Sequence, residues 1–103
     1  MRYHIVCYVP QGHVDSVKRA MFDAGAGRFE GYRDCCWQTS GNGQFVPEES
    51  ASPFVGSIGN VETVEEIKLE MFCQSDCIEA VIAALNSAHP YEVPAYGVYE
   101  TVF

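Results

Sequence analysis

The sequence predicts an α+β fold of the ferredoxin-like order βαββαβ, an antiparallel sheet with two helices on one face. Three observations predict it. Apolar residues alternate with a period of two near the start, in the second half and at the end of the chain. Two segments between these stretches carry the helical period. A stretch without periodicity, PEESASPFVGSIGN at 47–60, divides the inner strands.

Along residues 3–9, Tyr3, Ile5, Cys7 and Val9 fall on one side and His4, Val6 and Tyr8 on the other. That is a strand, apolar on both sides, so cover is expected on both faces. Pro10 ends it. Over 11–24, Val14, Val17, Met21 and Ala24 share a helical face, and Asp15 sits in the first turn, where it complements the helix dipole. Gly25-Ala26-Gly27 follows this helix, which makes it a cap and turn; a phosphate loop would follow a strand and open a helix.

Residues 32–39 are aromatic and cysteine-rich and predict the second strand. Gly41-Asn42-Gly43 is a turn signal and Gln44-Phe45-Val46 a return, so a hairpin is expected here. A loop as long as 47–60 is uncommon in a compact domain and is often functional. Over 64–73, Ile67, Leu69, Met71 and Cys73 make one face and Glu66, Lys68 and Glu70 a solvated other face. Asp76 and Glu79 stand at capping-box spacing before the helical face Ile78, Val81, Ile82 and Leu85. The last strand is expected over 95–103.

Composition narrows the function. The chain has 103 residues, 48% of them hydrophobic, which suits one domain over 1–103. Its formal net charge of −8 comes from 14 acidic against 6 basic residues with no basic run, against nucleic acid or an anionic membrane as partner. No segment approaches the ~20 apolar residues of a membrane span, and the N-terminus has the pattern of a strand, not of a signal peptide. Five cysteines without a CxxC pair are the usage of a reducing cytoplasm, where cysteine serves as a small apolar residue without disulfides.

Chemistry-bearing residues concentrate in AHPYEVPAYGVYE, near the end of the chain. Pro90 pushes His89 out of helical geometry, and Pro94 opens the last strand at no cost in ladder bonds. The stretch therefore reads as a helix stop and a proline-locked turn, with Glu92 close enough in sequence to hydrogen-bond His89. It also reads as a ligand site: His89, Tyr91, Glu92 and Tyr96 are the candidate binding residues, with Pro53 and Phe54 as candidate loop contacts. One histidine and one carboxylate are too few to hold a transition metal alone. No HExxH, GxSxG or phosphate-loop motif is present, so no catalytic residue is assigned.

His89-Pro90-Tyr91-Glu92-Val93-Pro94 resembles the HPYxxP signature of CutA-type proteins, relatives of the PII signalling fold. The middle of the chain departs from CutA. Gly25-Ala26-Gly27, Tyr32, Cys35, Gly41 and Gly43, Phe45-Val46-Pro47, Pro53-Phe54-Val55-Gly56 and Glu65-Glu66-Ile67-Lys68-Leu69-Glu70 look like the CutA/PII-like domain of the YqfO family, also called NIF-three-like or GTP cyclohydrolase I type 2 homologues. The resemblance runs from about Tyr3 to Tyr99. In the larger family members this domain is an insertion within a domain that binds two metal ions. No residue here matches those ligands, so the expectation is the stand-alone insert domain. The resemblance also implies a homotrimer; in such a trimer the turn over 88–94 is expected near a neighbouring chain's hairpin or its 47–60 loop. The expected function is a non-enzymatic binding or regulatory module for a small molecule or a protein partner. The alternatives are a CutA-like divalent-metal binder, or a hydrolase or cyclohydrolase component that works with a separate metal domain.

Overall fold

The computed structural model describes residues 2–102. Strand β1 (Arg2–Pro10) runs through a 3-10 turn at Gln11–His13 into helix α1 (Val14–Asp23). Strand β2 (Trp37–Phe45), strand β3 (Glu62–Gln74), helix α2 (Ile78–Ala88) and strand β4 (Tyr96–Thr101) follow. The sheet order is β2-β3-β1-β4, antiparallel throughout, as βαββαβ requires.

The period-two pattern of β1 and β3 decides which face is covered. In register, Ile5 lies opposite Met71, Cys7 opposite Leu69 and Val9 opposite Ile67, and all six are buried. Val14, Val17, Met21 and Phe22 of α1 and Val81 and Leu85 of α2 close over them, with Ile78 and Val98 partly buried at the margin. Ile82 is half-buried outside this cluster, so the apolar face of α2 is narrower than its sequence indicates.

Helix α1 ends as its glycine predicts. Gly25 at φ +117° donates to the Phe22 carbonyl (3.0 Å) and Ala26 to that of Met21 (3.1 Å), which is the Schellman arrangement. Helix α2 ends at His89, extended at ψ 136° ahead of Pro90.

Two local expectations are corrected. Gly41, Asn42 and Gly43 do not turn; they lie inside β2, which pairs with β3 without a break from Trp37↔Glu70 to Phe45↔Glu62. The thirteen-residue β3 offers a partner along its whole length, and that pairing overrides local turn preference. The segment before β2 is irregular, with only a bridge between Phe29 and Tyr32. The hairpin is instead β2 and β3, joined by the 46–61 loop. At α2, Cys77 and not Asp76 holds the N-cap position, without a side-chain cap bond, so the expected capping box does not form. Strand β4 stops at Thr101; the expected end at Phe103 lies outside the described residues.

The second sheet face, away from the helices, carries His4, Val6 and Tyr8 of β1, Glu66, Lys68, Glu70 and Phe72 of β3, alternate residues of β2, and Tyr99. Val6 is buried, but Trp37 is 68% and Tyr99 60% exposed. Within one chain this face is only partly covered.

Candidate functional site

The partial cover is the 46–61 loop, which folds back over one end of the open sheet face and meets the turn between α2 and β4. Its base is closed by the Gly59 N–H donating to the Pro47 carbonyl (2.8 Å), with Pro47 buried. Its middle is tied down by Glu92: both carboxylate oxygens lie 3.2 Å from the Ser52 N–H. Phe54 packs edge-on against His13 at 5.5 Å between ring centres and at a tilt against Tyr91 at 6.3 Å. Loop, turn and sheet enclose a cleft of about 650 Å³.

The turn itself is set by His89, which is 5% exposed. Its Nδ1 accepts from the Tyr91 N–H (3.1 Å) and its Nε2 faces the Tyr8 carbonyl at 2.7 Å. A carbonyl only accepts, so Nε2 carries the proton and donates. Both ring nitrogens are therefore engaged in joining the turn to β1. Glu92 bonds to Ser52 and not to His89, which corrects the pairing expected from their closeness in sequence.

That bracket delivers Tyr91 to the cleft. Its hydroxyl donates to Glu66 Oε2 (2.9 Å), and its ring lies 6.3 Å from Phe45 and 4.9 Å from His89. Burial first, then the Glu66 hydrogen bond and charge, pushes the phenol well above its ordinary value. The Glu66 carboxylate occupies the space above Gly43 that a Cβ would fill, so this glycine makes room for the Tyr91–Glu66 contact.

Of the residues singled out in the sequence, Tyr91, Glu92, Pro53 and Phe54 come together as lining of the cleft. His89 stands behind them as a buried support. Tyr96 does not join them: it pairs with Cys7, on the helix-bearing side of the sheet near its edge. Tyr8, Phe45, Glu66 and Lys68 also line the cleft, and sequence reasoning missed them. Glu66 and Glu70 looked like a solvated face, yet Glu66 holds Tyr91 and Glu70 lies 3.3 Å from His4 Nε2. The available signal was the apolar second side of β1, which announced a covered face.

Among the described residues, no three His, Cys, Asp or Glu side chains converge to hold a metal ion. Burial pushes the Cys7 thiol up to about 12, and burial followed by the charges of Cys77 and Asp76 pushes Cys73 up to about 11. Both behave as core residues, far from the thiolate a metal or nucleophilic role requires. No helix is long and apolar enough to cross a membrane among the described residues.

Comparison with known proteins fits this geometry. No family model matches the chain. It is 45% identical over 97 residues to the GTP cyclohydrolase 1 type 2 homolog of Mycobacterium leprae, covering 94% of this chain and 25% of that protein. The homologue of Bacillus subtilis is 38% identical over 95 residues, 92% of this chain and 26% of that one. Among solved structures, a Bacillus cereus protein related to NIF3 superposes with a TM-score of 0.82 at 38% identity, covering 95% of this chain and 25% of that one. This chain has the CutA/PII-like fold and is homologous to one segment of the GTP cyclohydrolase 1 type 2 homologues. The periplasmic divalent cation tolerance protein CutA of Archaeoglobus fulgidus shares the fold, with a TM-score of 0.71 at 14% identity over 98% of this chain and 84% of its own. The CutA/PII-like chain spans about a quarter of the length of the curated relatives it matches.

Proposed function

We propose that this CutA/PII-like domain is a non-enzymatic module that binds a small molecule in the cleft beneath the 46–61 loop and acts as a homotrimer in the cytoplasm. The observation that carries the binding part is the latched loop: Glu92–Ser52 and Phe54–Tyr91 hold it over an aromatic-walled space of about 650 Å³. Ligand sites have this character, a largely apolar concavity with a few placed polar groups. The trimer rests on the resemblance to CutA. The exposed Trp37 and Tyr99 support it, since a neighbouring copy would remove them from water.

Nile red, a neutral apolar dye, tests the cleft. Its fluorescence should rise on binding the native protein; Phe54→Ala should abolish the rise and Trp37→Ala should preserve it. The reverse pattern would move the binding surface to the open end of the sheet. Light scattering should give three chains per particle, and a monomer at micromolar concentration would remove the trimer.

The relatives' names favour a second reading, a component of a cyclohydrolase, to which the sequence resemblance adds a separate metal domain. A divalent metal built on His89 does not fit one chain, because coordination would break a bond that holds the turn. GTP turnover that co-purifies with this chain would nevertheless displace the binding-module reading.

A further inference from the structure

We propose that the cleft recognises an organic cation: an alkyl- or arylammonium group whose apolar body lies against the aromatic walls. The inference rests on the cleft being a ligand site and names the chemistry of its occupant. Three rings cluster there. Phe45 and Phe54 each lie 6.3 Å from Tyr91, with interplanar angles of 59° and 50°, so the rings are tilted and not stacked flat. Ring faces attract a cation within about 6 Å of the centroid, and poorly hydrated ammonium groups gain most because they lose little water on entry.

Charge points the same way. Two carboxylates, Glu66 and Glu92, line the cleft against one lysine, Lys68, in a chain whose net charge is −8. Glu66 meets the aromatic cluster directly through the Tyr91 hydroxyl at 2.9 Å. That bond uses one oxygen, and Tyr91 neutralises none of the charge. A carboxylate next to three aromatic rings is a better host for an ammonium than for an anion, which would face Glu66 and Glu92 together. Lys68 sits two residues along the same strand face as Glu66 and, like Glu92, is exposed, so solvent screens both of those charges; half-buried Glu66 is screened less and sets the sign of the site.

Displacement of bound Nile red by three small probes decides the matter. Benzyltrimethylammonium should displace the dye at a concentration about tenfold lower than neopentylbenzene, its uncharged isostere, or benzenesulfonate. Glu66→Gln keeps an acceptor for Tyr91 and should remove most of that preference; Lys68→Gln should sharpen it. Raising the salt concentration should weaken the cation alone. Equal displacement by the ammonium and its neutral isostere would overturn the cation inference and leave the cleft standing as an apolar site. Preference for the sulfonate, lost in Lys68→Gln, would overturn it in favour of an anion. Dye fluorescence unaffected by all three probes and by Phe54→Ala would remove the cleft reading as well.

Discussion

His89 holds the α2–β4 turn from both ring nitrogens, and its replacement tests that role. His89→Ala leaves the Tyr8 carbonyl and the Tyr91 N–H without their partner in a nearly closed site, so it should cost about 2–4 kcal/mol in chemical denaturation. An unchanged denaturation midpoint would show that the bracket is dispensable. Tyr91 makes the second residue-scale prediction. Its folded pKa is raised above its ordinary value near 10, so its contribution to stability is complete below pH 10 and is lost as pH climbs through the folded value. The phenolate absorbance of the native protein minus that of Tyr91→Phe should therefore develop late, well above pH 10. A difference spectrum complete by pH 10 would contradict the Glu66 contact. Gly43→Ala should reproduce the Tyr91→Phe phenotype, because its Cβ takes the place of the Glu66 carboxylate, a flexible end that can swing away.

Elements were legible where pattern and packing agree. Alternation in β1 and β3 and the helical faces of α1 and α2 follow directly from side chains that must leave water, and Leu85, fully buried, bears this out. Leu85→Ala should cost roughly 2–5 kcal/mol, measured by urea unfolding. The proline-locked helix stop was legible for the same reason, since Pro90 acts on its own neighbour. The Gly41-Asn42-Gly43 segment was not, because its strand state is imposed by β3, whose paired residues Glu66, Glu65 and Val64 lie more than twenty residues away in sequence. The cleft was half legible. The 47–60 loop and the 89–92 turn stood out by composition, but their meeting depends on Glu92 reaching Ser52, forty residues away. Glu92→Ala should release that latch, and hydrogen exchange should then quicken at Ser52 and its neighbours in the loop while β1 and β3 stay protected. Equal protection in both proteins would mean that Phe54 alone secures the loop.

At the scale of the whole molecule, two helices cover one sheet face and a single loop covers part of the other. The covered part forms the cleft; the rest exposes aromatic surface. The first region is where a ligand is proposed and the second where neighbouring copies are proposed to pack, so binding and assembly should respond to different substitutions. Trp37→Ala should lower the assembly state in light scattering without altering Nile red binding, and Phe54→Ala should do the opposite. Coincident loss of both would place the cleft at a subunit boundary.

The claim that the latched cleft binds a small molecule is tested most directly by amide chemical shifts during titration with benzyltrimethylammonium. Saturable shifts are expected at Gly41, Gly43, Ser52, Phe54, Val55, Tyr91 and Val93, with α1 and the Tyr96 edge silent. Saturable shifts confined to the helix face, or none up to millimolar probe, would contradict it.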